Sequence, residues 1–160
     1  INLFFLINRQ GKIRLTKFFE TFNLSERNKL LREIAVAVIS RSSKMSNFYE
    51  FQNYKVIYKR YASLYFICLC DMNENELITL ELIHHYVECL DKYFGNVCEL
   101  DIIFNFHKAY FILEEIILSG YMQESNKRAI KRTLEVIDSM LVEEKEEEYN
   151  VNSSIPSKKS

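Results

Sequence analysis

Apolar and polar positions alternate with two different periods along this chain. Residues 2–8 and 63–70 are apolar on both faces of an extended chain, which is typical of strands inside a sheet covered on both sides. Residues 13–19 alternate apolar and polar side chains, and residues 47–51 and 54–60 flank a tight joint. These patterns predict three more strands, and the two half-polar ones, 13–19 and 47–51, are expected at the edges of the sheet.

Apolar positions three or four residues apart predict four helices. Ser25 is the expected N-cap of the first helix. Gly95 and Gly120 are expected to end the second and the third, because glycine adopts the left-handed conformation that closes a helix. The predicted helices cover residues 25–41, 75–94, 99–118 and 125–142.

The order of these elements predicts an α+β fold. Two strands, a helix, three strands and then further helices indicate a five-stranded mixed or antiparallel sheet with helices on both faces. The predicted strand order is 2-1-5-4-3, with the doubly apolar strands inside. The folded domain is expected over residues 1–142. Residues 143–160 have too little apolar content for a core, which predicts a flexible acidic and Ser-Lys tail.

Composition excludes several classes of function. The net charge of −1 gives no basic field for nucleic acid or an anionic membrane. No apolar run approaches the roughly 20 residues that span a bilayer. The first residues lack a basic leader and a cleavage site, so we expect a cytoplasmic protein. In that reducing compartment four buried free thiols are expected, at Cys68, Cys70, Cys89 and Cys98.

Candidate catalytic and metal-binding residues are few. His84 and His85 are adjacent, and adjacent helical residues point about 100° apart, which disfavours a shared metal ion; one packed and one solvated histidine are expected. A nucleophile formed by Cys89 or Cys98 with His107 has no local support, because both cysteines lie in apolar runs. We therefore predict no catalytic residue, no metal and no cofactor.

Two charged segments have simple interpretations. The acidic run Glu143–Glu148 is expected to be solvated. The strand at 54–60 carries cationic and aromatic side chains that could form a nucleic-acid surface, but an amphipathic strand whose long cations cover aromatic rings is favoured. These side chains are Lys55, Lys59, Arg60, Tyr54, Tyr58 and Tyr61.

Long stretches of the chain resemble a known family. The segments NRQGKIRLTKFF, YKRYASLYF, NELITLELIH, LDKYFGNVCELDIIFNF and KAYFILEE are similar to the sigma small subunits of clathrin-associated adaptor complexes, over about residues 2–142. These segments are most similar in sequence to the sigma-one type, from the trans-Golgi and endosomal complex. The resemblance implies a longin-like (SNARE-like) fold with extra C-terminal helices, and a subunit that is not an enzyme.

The resemblance also implies partners and a location. These are a gamma-type and a beta-type large adaptin, a medium mu chain, cargo tails with acidic dileucine signals and, indirectly, the clathrin coat. The subunit would associate with the membrane only peripherally, through the complex, on the cytoplasmic face of trans-Golgi and endosomal membranes and coated vesicles. Two alternatives remain: the chain is the sigma subunit of a sibling complex at the plasma membrane, or it is a purely architectural subunit that binds no peptide.

The resemblance further implies a peptide site. Arg14 would meet the acidic residue of the signal, and a pocket would hold its two leucines. By pattern alone these apolar residues fit a packed core better than a groove. Val87→Asp is predicted to abolish peptide binding while assembly persists. The implied pocket residues are Tyr61, Ala62, Leu64, Phe66, Val87, Asn96, Val97, Leu100 and Ile102.

Overall fold

The protein is an antiparallel sheet between helices. The computed structural model describes residues 1–121 and 126–154, apart from the side chains of residues 118–130. Its elements are β1 (Leu3–Asn8), β2 (Ile13–Phe18), α1 (Leu24–Ser40), β3 (Phe48–Phe51), β4 (Tyr54–Tyr61), β5 (Leu64–Asp71), α2 (Glu76–Phe94), α3 (Glu99–Phe104), α4 (Phe106–Tyr121) and α5 (Asn126–Ser154).

The strand order confirms the prediction from the sequence. The strands pair antiparallel in the order β2-β1-β5-β4-β3. The doubly apolar strands β1 and β5 are neighbours inside the sheet, and the half-polar strands β2 and β3 form its edges. A strand that buries both faces needs helices on both sides, whereas an edge strand keeps one border in water.

Alternate residues of β1 supply two separate cores. Leu3, Phe5 and Ile7 face α1 and pack with Ile34 of that helix. Phe4 and Leu6 face the other way, into a larger cluster with residues of α2, α4 and α5. All five β1 residues named here are fully buried. The period of two in β1 therefore sets which layer of helices each side chain meets.

The predicted third helix is two helices in the structure. Asn105, with φ −128° and ψ 38°, ends α3, and α4 begins at the next residue. The Asn105 amide Nδ2 donates to the Asp101 backbone oxygen at 3.3 Å, which satisfies a carbonyl at the helix end. The apolar stripe continues through the break at Phe106, so the sequence pattern did not mark it.

Two other predicted helix ends were wrong. The N-cap of α1 is Asn23 rather than Ser25: its backbone N–H donates to Glu26 Oε2 at 3.2 Å, as in a capping box. The last helix continues past residue 142 to Ser154, so most of the predicted tail is helical, while residues 155–160 lie outside the described residues. Glu144 accepts hydrogen bonds from Tyr93 and Lys108, which ties this extension to α2 and α4.

Candidate functional site

Five of the predicted pocket residues come together in one buried cluster. They lie in the core between the sheet and helices α2 to α5, and their side chains are 0 to 3 % exposed. In this structure these five side chains are part of the core and do not line an open groove; we call the pocket implied by the resemblance the slot. The five residues are Leu64, Phe66, Val87, Val97 and Ile102.

The other apolar and amide residues of the predicted pocket lie around this cluster, nearer the surface. Tyr61 is half-buried and packs against the cluster, Ala62 and Asn96 are exposed, and Leu100 is 59 % exposed. Ala62 follows β4, Asn96 lies in the joint between α2 and α3, and Leu100 is the second residue of α3. We call these four residues the rim.

Asp91 joins the two sides of the rim. The Tyr61 hydroxyl donates to Asp91 Oδ2 at 2.5 Å, and the Val97 backbone N–H donates to Asp91 Oδ1 at 2.9 Å. The hydrogen bond to Asp91 is the main cause of the raised pKa of Tyr61, with burial second. Gly95 and Asn96 have φ of 66° and 63°, and these left-handed residues turn the chain so that Val97 reaches Asp91.

Arg14 of the edge strand β2 reaches the start of α3, directly after this joint. Its Nε donates to Glu99 Oε1 at 2.6 Å, and Asn8 Nδ2 donates to that oxygen at 3.0 Å. These two hydrogen bonds, that of Arg14 first, hold the pKa of Glu99 below its usual value. Asn8 also pairs across the sheet with Leu64 of the buried cluster. The guanidinium is therefore bound beside the predicted slot, because its partner Glu99 directly precedes Leu100 in the chain.

The arrangement suits an extended, partly acidic peptide. A cation stands at one end, the rim offers partly exposed apolar surface, and an apolar interior lies beneath. Asn8, Asp91 and Glu99 were missed by the sequence analysis. Asp91, near the end of α2, and Glu99, at the start of α3, each lie four residues from Gly95, and carboxylates beside this predicted helix end were the one available signal.

Ala62→Gly is expected to stabilise the chain by about 0.5–1 kcal/mol. Tyr61 pairs with Leu64 across a two-residue turn, in which Ala62 has φ 52°. The left-handed conformation costs a residue with a Cβ roughly 1–2 kcal/mol, and glycine avoids this cost. The greater conformational entropy of glycine in the unfolded chain offsets part of the gain. The midpoint of urea unfolding measures the change. As a control, Ala37→Gly within α1 should lower this midpoint. A similar decrease for Ala62→Gly would show that the left-handed conformation of Ala62 is not strained.

The histidines and Cys89, considered as alternative chemical sites in the sequence, have ordinary structural surroundings. His84 is exposed and His85 largely buried, as expected, and Glu88 contacts both. His107 stacks on Phe106 with ring centroids 4.0 Å apart, and burial raises the pKa of the Cys89 thiol to about 11, so this thiol stays protonated. In the described part of the chain, no group of three or more His, Cys, Asp or Glu could hold a metal ion.

Two further expectations are settled by burial. Cys68, Cys70 and Cys89 are buried free thiols, but Cys98 is exposed, because it lies in the joint before α3; its expected burial was wrong. Lys55 of the basic strand is buried, and its Nζ donates to Glu76 Oε1 at 2.8 Å. This cation is thus part of the packing between β4 and α2.

Of the helices within the described ranges, none combines the length and apolarity needed to cross a membrane.

Comparison with known proteins identifies the family. The family model described as "Clathrin adaptor complex small chain" matches residues 1–141. The chain belongs to this family. Its fold is therefore the expected longin-like one, and the protein is an adaptor subunit and not an enzyme.

The curated relatives of this adaptor small chain agree on a type. It is 50 % identical over 156 residues to AP-1 complex subunit sigma-2 of Arabidopsis thaliana, covering 97 % of this chain and 96 % of the relative. It is 53 % identical over 146 residues to AP-1 complex subunit sigma-1A of Homo sapiens, covering 91 % and 92 %. The chain is accordingly a clathrin adaptor small subunit of the AP-1 type.

A structural comparison gives the same family. A chain of a homology model of the full-length AP-3 complex in a stretched open conformation superimposes with a TM-score of 0.67 at 29 % identity. The match covers 98 % of this adaptor small chain and 99 % of that chain. The whole described fold, including the helices after the sheet, is thus shared with a chain of an adaptor complex.

Proposed function

We propose that this small chain recognises acidic dileucine signals in cargo tails as part of a clathrin adaptor complex at trans-Golgi and endosomal membranes. Its partners there are a gamma-type and a beta-type large adaptin and a medium mu chain. The chain meets clathrin indirectly and the membrane only through the complex, on the cytoplasmic face.

The observation that carries this proposal is the continuity of the site. Hydrogen bonds connect Tyr61 through Asp91 to Val97, and they connect Arg14 to Glu99, two residues after Val97 at the start of α3. A cation and an apolar cluster are therefore tied to one short segment. Such an arrangement can bind a peptide whose acidic residue and apolar side chains lie a few residues apart.

Binding requires the slot to open. Because the five clustered side chains are at most 3 % exposed, two leucines can enter only if α2 and the joint after it shift relative to β5. Each buried leucine contributes roughly 1.5–3 kcal/mol, and the costs of opening, of rigid-body association and of ordering the peptide oppose this. We expect affinities of about micromolar or weaker, with avidity on the membrane supplying the rest.

Arg14→Ser tests the cationic end of the site. Peptides with the acidic residue should bind the assembled complex about tenfold more weakly, because a charge-assisted hydrogen bond is worth roughly 1.5–3 kcal/mol before solvent screening. Peptides with alanine at that position should bind as before. Fluorescence anisotropy with both peptides measures the difference.

Arg32→Ser is the matched control for Arg14→Ser. Arg32 is an exposed arginine on α1, on the opposite side of the sheet. Its loss should leave both peptides unaffected. An equal loss of both peptides in Arg14→Ser would contradict the assigned role of the guanidinium, since a damaged fold would affect the two alike.

A purely architectural role is the second candidate, and the closed slot favours it. In that case the chain would hold its partners together without binding a peptide. Titration of the wild-type complex with a dileucine peptide and with a dialanine control separates the two, since equal binding would leave only the architectural role. Affinity isolation with identification of partners by mass would distinguish a gamma-type large chain from the large chain of a plasma-membrane complex.

A further inference from the structure

The Arg14 guanidinium is anchored through one edge only. Its Nε is bound to Glu99 Oε1, and among the residues that the structure describes none accepts a hydrogen bond from its terminal Nη1 or Nη2. A guanidinium has a rigid planar fork of donors. With the Nε edge occupied, the two terminal nitrogens remain for an incoming acceptor.

The anchor itself is fixed by the turn between β1 and β2. The Asn8 Oδ1 accepts the backbone N–H groups of Gln10 at 3.0 Å and Lys12 at 2.9 Å, which leaves Nδ2 to donate to Glu99 Oε1 at 3.0 Å. Asn8 is only 6 % exposed, so its amide has little freedom to rotate. The orientation of Arg14 is thus connected to the backbone of the turn through two side chains.

We propose that Asn8 and Glu99 are positioning residues that aim the terminal nitrogens of Arg14 at the carboxylate of a bound acidic peptide. This inference rests on the proposed function. A guanidinium held in place before binding loses little conformational freedom when the carboxylate arrives, so preorganisation increases affinity for the acidic peptide alone. The negative charge of Glu99 acts in the opposite direction, by repelling the peptide carboxylate.

The pair Glu99→Ala and Glu99→Gln separates geometry from charge. Glutamine keeps an oxygen for Asn8 and Arg14 and removes the charge, whereas alanine removes both. In the assembled complex, Glu99→Ala should weaken the acidic peptide about three- to tenfold and leave its alanine counterpart unchanged. Glu99→Gln should bind the acidic peptide at least as tightly as wild type.

A matched control lies on the same edge strand. Lys17 of β2 forms an ion pair with Glu114 at 2.9 Å, away from the Arg14 guanidinium. Glu114→Ala removes a carboxylate partner from a β2 cation without touching the Asn8 network. We expect both peptides to bind this variant as they bind wild type.

Two binding results would overturn the positioning role. If Glu99→Ala and Glu99→Gln both tighten the acidic peptide equally, Glu99 acts only as a competing charge. If Glu99→Ala weakens the acidic and the alanine peptide alike, it acts only on the fold.

A second measurement needs no peptide. In ¹⁵N-labelled full chain, the Arg14 Nε–H should exchange slowly with water in wild type and Glu99→Gln, and at least tenfold faster in Asn8→Ala and Glu99→Ala. Unchanged exchange in both alanine variants would overturn the positioning role. Failure of the wild-type complex to bind any dileucine peptide would instead overturn the proposed function and the ligand named here, while slow exchange would still establish the orientation of Arg14.

Discussion

Tyr86→Ala is expected to lower the free energy of unfolding by about 3–5 kcal/mol, the range for removing a buried aromatic ring. Tyr86 is fully buried, and its ring packs edge-to-face on Phe4 and Phe66 with centroids 5.4 and 6.0 Å away. Its hydroxyl donates to the Ala109 backbone oxygen at 2.8 Å. One side chain therefore joins β1, β5, α2 and α4, and its loss leaves a cavity where these elements meet.

Tyr86→Phe isolates the hydroxyl from the ring. It keeps the ring contacts and loses one hydrogen bond, so a decrease of about 0.5–1.5 kcal/mol is expected. Tyr149→Ala on α5, where the side chain is 74 % exposed, should change stability by less than about 0.5 kcal/mol. Urea unfolding followed by far-UV circular dichroism measures all three variants. A shift for Tyr86→Ala no larger than that for Tyr149→Ala would contradict the central position of this residue.

The sheet could be predicted from the sequence because its information is local. Alternation within β1 separates Leu3, Phe5 and Ile7 from Phe4 and Leu6, and the structure places the two sets in different cores. The contrast between doubly apolar and half-polar strands was enough to order the sheet. In each case the deciding property belongs to a few consecutive residues.

The end of α5 and the break after α3 were harder to predict than the sheet, whereas the start of α1 had a local signature, Asn23 followed by Glu26, that the choice of Ser25 overlooked. The extension of α5 is tied down by hydrogen bonds from Tyr93 and Lys108 to Glu144. In the sequence, Glu144 is one of a run of carboxylates that looks solvated. The break at Asn105 lies inside an unbroken apolar stripe. Neither feature has a local signature that outweighs the pattern around it.

The candidate site was only partly predictable, for a related reason. The resemblance supplied Arg14, but Glu99, its partner, lies 85 residues away, and no pattern pairs them. Asn8 was expected only to end a strand. The pattern alone favoured a core for Val87 and Val97, and both are buried, but an apolar residue in a pocket and one in a core have the same sequence pattern.

Val87→Asp is expected to destabilise the chain by roughly 3–5 kcal/mol, the cost of an unpaired charge in a core. Val87 is 3 % exposed and lies in the larger hydrophobic cluster. Burial raises the pKa of the introduced carboxyl in the folded state, so the native chain binds a proton more readily than the unfolded chain. The deficit relative to wild type should therefore shrink as pH falls from 7 to 5. Urea unfolding at both pH values measures it, and a deficit independent of pH would contradict the burial of the charge.

This instability changes how the predicted slot has to be tested. Loss of peptide binding in Val87→Asp follows from a damaged core whether or not the slot exists, so that variant alone does not establish the site. Leu100 is 59 % exposed on the rim, and Leu100→Asp should leave stability within about 0.5 kcal/mol of wild type. If the slot opens beside the rim, Leu100→Asp weakens dileucine peptides in the assembled complex while unfolding remains unchanged. Wild-type peptide affinity in this variant would remove Leu100 from the site and would favour the architectural role.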